Sequence, residues 1–264
     1  MISAVIIVLR EVLEGVLLIC MFMASATVMG QRLRWLPLAL ALGLAGAFSY
    51  AVFLEQISML FEGLGQEIIS ATLLTAVALI LLLHNFLAAA HALGSAISGR
   101  LFLTVCIAAA AMSMSREGAE IYLYVYAFGI QAGQMSSVLS GAVIGTGIGL
   151  SLGTFLYYGL RALTPQRCLW VCTAIGTMIG AGLVMQATYY LEQADLLPGQ
   201  QALWDSSALV VESSLTGEML QAAIGYEATP TAVQVALYTM SLLASLAAIG
   251  LAWLQSARTQ ESTT

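Results

Sequence analysis

Two stretches decide the reading of this chain: ISAVIIVLREVLEGVLLICMFM (residues 2–23) and LFLTVCIAAAAMSMSREGAEIYLYVYAFGI (residues 101–130). Each is an apolar run interrupted by one charged pentapeptide. The first holds Arg10-Glu11-Val12-Leu13-Glu14 and the second Arg116-Glu117-Gly118-Ala119-Glu120. An ionised residue at the centre of a membrane helix costs about 2.5–3.5 kcal/mol on insertion scales. Six such residues facing lipid unpaired would cost on the order of 15–20 kcal/mol. Two matching copies of Arg-Glu-x-x-Glu therefore imply charges that face protein, pair with one another and hold something.

Composition agrees. Of 264 residues, 60% are hydrophobic and 8% charged, with a mean hydropathy of +0.94, a balance that excludes a soluble domain of this size. Lysine is absent, so all eight basic residues are arginine, and the net charge is −6. The one asparagine, Asn85, precedes Phe-Leu and forms no glycosylation sequon. Cys20, Cys106, Cys168 and Cys172 lie in or at the edge of apolar runs, so no disulfide framework is implied. Cys168 and Cys172 are one helical turn apart, a spacing that suits either a soft metal or simple packing of small side chains. The N-terminus lacks a basic leader region and reads as a retained first span.

Runs long enough to cross a bilayer cover 2–29, 36–54, 68–90, 101–129, 138–160, 168–190 and 231–254. The expected fold is an all-α membrane protein with seven transmembrane helices. Arg32, Arg34, Arg100, Arg161, Arg167 and Arg258 then fall on one side, leaving only Arg10 and Arg116 unplaced by topology. The positive-inside rule puts the N-terminus outside and the C-terminus in the cytoplasm. Acids collect on the outer side: Glu55, Glu62, Glu67, Glu192, Asp205, Glu212, Glu218 and Glu227 among them. An acidic outer face can concentrate cations, or simply keep outer loops soluble. The longest loop, 191–230, is expected outside, with a short interfacial helix within WDSSALVVESSLTGEMLQAAIGY. Tyr189, Tyr190, Trp204 and Tyr226 suit an interfacial aromatic belt.

The motifs lie 106 residues apart, each in the first span of a three-span block. An odd number of spans inverts the second block relative to the first, a recurring transporter plan. The single membrane domain, 1–264, thus divides into repeat one (1–95), repeat two (96–190), the outer loop (191–230) and an added seventh span (231–254). On a helix, residues three and four apart share a face. Glu11 with Glu14, and Glu117 with Glu120, would converge if the two helices cross at the motifs. With Arg10 and Arg116 the cluster carries a net −2. Carboxylates are hard ligands suited to hard cations, and forked guanidinium bonds would orient them. A static salt-bridge network joining two helices is the alternative.

With these residues in place, the chain resembles the oxidase-dependent iron permeases of fungi and bacteria. That family has Arg-Glu-x-x-Glu in spans one and four of seven. GLGQEIISATLLTAVALILLL (63–83) is similar to its third span, and LWDSSALVVESS with GYEATPTAVQ (203–234) to its segment before span seven. The resemblance implies that Glu11, Glu14, Glu117 and Glu120 ligate iron along the permeation path, supported by Arg10 and Arg116. It also implies a periplasmic iron-oxidising or iron-delivering partner. The chain departs from the family at Val12, where glycine is frequent, and at Ser70, where a second glutamate after Glu67 is frequent. Glu67, Asp205, His84 and His91 are further candidates for the inlet or outlet of the path.

The expected function is an iron permease of the bacterial inner membrane. It would move iron, ferric by ligand hardness, from periplasm to cytoplasm, with iron as cargo and no permanently bound cofactor. No GxxxxGK[ST] sequence is present, and nothing points to nucleic acid. Ferrous iron, lead or manganese is the alternative cargo. An intramembrane enzyme lacks HExxH and GxSxG, and a non-transporting metal sensor is the remaining rival.

Overall fold

Helices account for most of the described residues, as the apolar runs require in a solvent that cannot satisfy a bare backbone. The structure, a computed structural model, describes residues 1–131 and 133–261; the side chains of Arg258 and Glu261 lie outside those described. Nine α-helices follow in order among the described residues: α1 (Ile2–Val28), α2 (Leu36–Val52), α3 (Leu54–Met59), α4 (Gly65–Ala92), α5 (Gly99–Tyr124), α6 (Met135–Arg161), α7 (Pro165–Gln193), α8 (Leu215–Ile224) and α9 (Ala232–Glu261). A wider π-helical turn, Val125–Gln131, prolongs α5. The one extended pairing among the described residues is an isolated bridge between Ala202 and Thr231.

Six helical segments are long and apolar enough to span a membrane, and they contain α2, α4, α5, α6, α7 and α9. The seventh expected span, α1, has 27 residues, about 40 Å at the helical rise, but carries Arg10, Glu11 and Glu14 within it. Those charges separate it from the other six in composition, not in length. Helices α4, α6 and α7 run one to three residues past the expected limits, α1 and α2 stop one or two residues short, and α3 breaks the link between the second and third runs.

Three helix pairs make the largest contacts: α1 with α6, α2 with α5, and α4 with α7. The direction of each pair can be read from side chains that meet. Along α6, Gly141, Gly149 and Gly153 meet Ala4, Val12 and Val16 in turn, so α1 and α6 run parallel. Gly43 meets Met114, and Ala47 meets Gly118, so α2 and α5 are also parallel. Gly176 meets Asn85 and Gly180 meets Leu81, so α4 and α7 are antiparallel. Small residues let backbones approach closely where lipid offers no hydrophobic drive between helices. The core is centred on α1, α4, α5 and α7: Leu18, Met21, Phe22, Leu74, Leu81 and Phe102 are fully buried. Leucine, phenylalanine and tryptophan side chains stand outward from α2, α6 and α9, where a bilayer would cover them.

The loop beyond α7 turns back into the bundle. Its helix α8 is capped by Ser214, whose hydroxyl accepts from the Gly217 N–H at 3.1 Å, and is ended by Gly225 in the left-handed region (φ 70°). A Cβ on Gly225 would fall on Gly182 Cα, and one on Gly182 would meet the Gly225 nitrogen at 2.8 Å. Backbone therefore touches backbone where α8 meets the middle of α7. Ala222 packs with Leu9 and Leu13 of α1. The expected short helix is present, but its buried face lies against α1 and α7 rather than flat on an interface.

Gly145 of α6 would set a Cβ 2.7 Å from the Val5 carbonyl and 3.0 Å from the Leu9 nitrogen, whereas Gly147 faces open space. Overpacking of this kind costs about 1–3 kcal/mol. Gly145→Ala should lower the thermal unfolding midpoint in detergent, and Gly147→Ala should not. Equal midpoints for the two variants would contradict the α1–α6 contact.

Candidate functional site

The two Arg-Glu-x-x-Glu segments meet inside the bundle, as the paired motifs imply. Helices α1 and α5 cross there, and their carboxylates and guanidiniums interleave. Arg116 Nη1 donates to Glu14 Oε2 at 3.0 Å and to both oxygens of Glu117 at 3.0 and 2.9 Å. Its Nη2 donates to Glu120 Oε1 at 2.6 Å. One guanidinium thus holds three carboxylates, one of them from the other helix. Arg10 reaches Glu14 at 3.3 Å, Glu11 at 3.6 Å and Glu218 of α8 at 3.5 Å. Glu11 sits beside Glu117 and Glu120.

The two copies are not equivalent. Arg116 has 4% of its side chain exposed and Arg10 22%, so Arg116 lies in the interior and Arg10 at its edge. Glu11, Glu14 and Glu117 are buried, and Glu120 is partly open. The departure at Val12 has a packing cause. A Cβ on Gly149 of α6 would meet Val12 Cγ1 at 2.6 Å, while a Cβ on Gly118 would meet Ala47 Cβ at 2.7 Å. In the first copy the motif supplies the knob and its neighbour the glycine; in the second the roles are exchanged.

Helix α7 adds two polar groups. Gln186 Nε2 donates to Glu14 Oε1 at 3.3 Å, and the Tyr190 hydroxyl donates to Glu120 Oε1 at 2.9 Å. Tyr190 is therefore a partner of the cluster, not part of an aromatic belt. Tyr226 likewise is tied inward, bonding Ser206 and the Val210 carbonyl. Gln186 and the inward role of Tyr190 were not legible in the sequence because neither repeats with the motif; their place near the C-terminal end of α7, four residues apart, was the available signal.

Two cavities converge on Arg116, Glu120 and Tyr190. The larger, about 650 Å³, runs beneath α8 and is also lined by Arg10, Glu212, Glu218 and Glu227. The smaller, about 270 Å³, opens between α2, α4 and α5 past Tyr50, Gln66, Glu67 and Ser70. Glu67 lies in that passage, and its buried Oε2 has no hydrogen-bond partner. Asp205 lies elsewhere: it is exposed, and hydrogen bonds from the Ser207 side chain and then from the Ser207 N–H, at 2.8 Å, hold its pKa below the ordinary range. His84 is not at an interface but wholly buried, edge-on to Phe22 at 4.9 Å and near Phe102 at 5.3 Å, away from both cavities. His91 is half-buried at the far end of α4.

Among the described residues, no three His, Cys, Asp or Glu side chains stand together as a formed metal site. The cause is visible in the pairing, since Arg116 occupies oxygens on Glu14, Glu117 and Glu120. The cluster is oxygen-rich and anionic, chemistry that fits a hard or borderline cation and no soft one. The four cysteines are buried and unbridged.

At the cavity rim, burial raises the Glu218 carboxyl despite Arg10 beside it. Burial, reinforced by the facing Glu212 carboxyl, pushes Glu227 up to about 7.

The apolar helices and their buried carboxylate cluster define a multi-pass membrane protein with a polar interior site. Residues 87–260 match the Iron permease FTR1 family, and the chain belongs to that family. It is 28% identical over 142 residues, 53% of the chain, to the ferrous iron permease EfeU of Shigella flexneri, covering 59% of that protein. The same identity over the same length relates it to the proteins of that name from Shigella sonnei (strain Ss046) and Escherichia coli O157:H7, covering 50% of each. The chain thus spans about half the length of the curated relatives it matches. No solved structure matches it.

Removing one partner from a buried ion network leaves uncompensated charge, at a cost of about 3–5 kcal/mol. Arg116→Gln should therefore lower thermal stability far more than Arg10→Gln, read as unfolding midpoints side by side. A second expectation concerns pH. The folded state holds the Glu227 proton above the ordinary carboxylate range, so between there and about 7 it binds more protons than the unfolded chain. Stability contributed by this group is greatest at the acid end of that window and falls as pH rises through it. Glu227→Gln should flatten that slope in thermal melts taken across the window.

Proposed function

We propose that this protein is an iron permease of the bacterial inner membrane. In this reading the merged Arg-Glu-x-x-Glu pair forms the transit site for iron moving from periplasm to cytoplasm. The observation that carries the proposal is the convergence of Glu11, Glu14, Glu117 and Glu120 with Arg10 and Arg116 at the foot of two cavities. Family membership and the iron permeases among its relatives support the cargo. The protein would act as a carrier and not as an enzyme.

Several features support α1 as the seventh span. It runs parallel to α6, which is apolar and long enough to cross, and packs along most of its length. The inverted repeat is supported by exchange. Replacing α1, α2 and α4 by α5, α6 and α7 turns the parallel α1–α6 pair into the parallel α5–α2 pair, and the antiparallel α4–α7 pair into itself. The arginine bias supports an outer N-terminus, which would open both cavities to the periplasm. Glu67, Glu212, Glu218 and Glu227 would then draw cations inward, and the segment between α7 and α9 would receive a periplasmic iron-delivering or iron-oxidising partner.

Ligand hardness favours ferric iron. Two observations favour the ferrous ion as a second reading: the relatives are ferrous iron permeases by name, and the cluster's net −2 is neutralised by one divalent ion.

Proteoliposomes given radiolabelled iron, as Fe(II) under anaerobic conditions or as chelated Fe(III), test the proposal. Wild type should accumulate one form, and Glu14→Gln together with Glu120→Gln should abolish uptake. Uptake surviving the double substitution would remove the motif from the path, and turnover of a membrane peptide without metal flux would favour an enzyme.

A further inference from the structure

Between the two motifs lies a small pocket distinct from the larger cavities. It has about 10 Å³ of free volume, room for about one water-sized particle. Its polar walls are Glu14 from α1, Glu117 from α5, Gln186 from α7 and Gln221 from α8; Leu18 and Leu183 close its apolar side. Four oxygen-bearing side chains from four helices thus surround a space that fits one ion.

Gln186 shows what the space lacks. Its amide nitrogen is spent on Glu14, while its buried carbonyl oxygen accepts no hydrogen bond. Buried acceptors are normally satisfied, so this unpartnered oxygen on a residue lining an ion-sized space is free to coordinate. Gln221 is brought there by α8, whose depth is fixed by the Gly182–Gly225 backbone contact. Arg116 braces Glu14 and Glu117 from one side through the same Nη1.

We infer that this void is the cation seat of the permease, and that Gln186 and Gln221 supply neutral oxygen ligands that tune it to a divalent ion. The inference rests on the transport reading above and sharpens its site. Two of the four motif carboxylates, Glu14 and Glu117, border the seat; Glu120 faces the cavities. The four motif carboxylates and two arginines together carry −2, which a divalent cation balances, and amide oxygens complete its shell without adding charge. A third carboxylate in place of an amide would suit a trivalent ion.

The test is equilibrium binding to the full-length protein in nanodiscs, with Fe(II) under anaerobic conditions and with Ga(III) as a redox-inert trivalent probe. Gln186→Leu and Gln221→Leu should each weaken Fe(II) binding by about tenfold. Gln186→Glu should keep a bound ion and shift the Ga(III)-to-Fe(II) preference by about tenfold toward gallium. That selectivity shift is a readout a merely structural glutamine would not move, and it stands even if a leucine variant misfolds. Unchanged preference in Gln186→Glu, with Glu14→Gln and Glu117→Gln still abolishing binding, overturns the seat and leaves the transport reading intact. Wild-type binding in the two glutamate variants overturns the reading beneath it as well.

Discussion

One guanidinium organises the interior of this protein. Arg116 is buried, cannot lose its proton and can be tolerated only where carboxylates surround it. It finds three, and because one of them, Glu14, belongs to another helix, satisfying the charge fixes how α1 and α5 cross. The helices that flank them, α6 beside α1 and α2 beside α5, are seated by small residues that allow close approach. Polar demand sets the crossing and packing holds it. Neither alone would: lipid solvates apolar side chains as well as a neighbouring helix does, and an ion network without close backbones would admit water.

Much of this was legible in the sequence because the membrane leaves few choices. Apolar length gave six of the seven expected spans, and the energetic anomaly of Arg10, Glu11, Glu14, Arg116, Glu117 and Glu120 pointed to the cluster. What could not be read was everything set by the return of the chain into the bundle. Glu218 and Gln221 look like residues of a polar loop, and nothing in their spacing announces that α8 lies against α1 and α7. Tyr190 reads as an interfacial aromatic until the rotation of α7 turns its hydroxyl onto Glu120. His84, a candidate for the path by residue type, is instead enclosed by Phe22 and Phe102, because its face of α4 is the core face. Residue type suggests chemistry; helix rotation decides whether the chemistry is used.

The carboxylates also divide by depth. Glu212, Glu218 and Glu227 line the rim of the larger cavity, Glu67 the smaller, and Glu11, Glu14 and Glu117 are buried behind them. Each step inward removes water and raises the cost of an unbalanced charge. A cation moving along such a gradient would exchange hydration for protein oxygen by stages, which keeps any single step small.

The exchange of knob and hole around the third motif position reaches beyond this molecule. Val12 fits because Gly149 gives way, and Gly118 is needed because Ala47 does not. What each contact requires is one glycine in the facing pair, on either helix, not a glycine at a fixed motif position. A search pattern that demands glycine inside Arg-Glu-x-x-Glu would find the second half of this chain and pass over the first. The residues matched to the family, 87–260, contain the glycine copy and not the valine one. Degenerate copies of a helix motif are therefore better sought as compensating pairs across a helix contact than as letters in one strand of sequence.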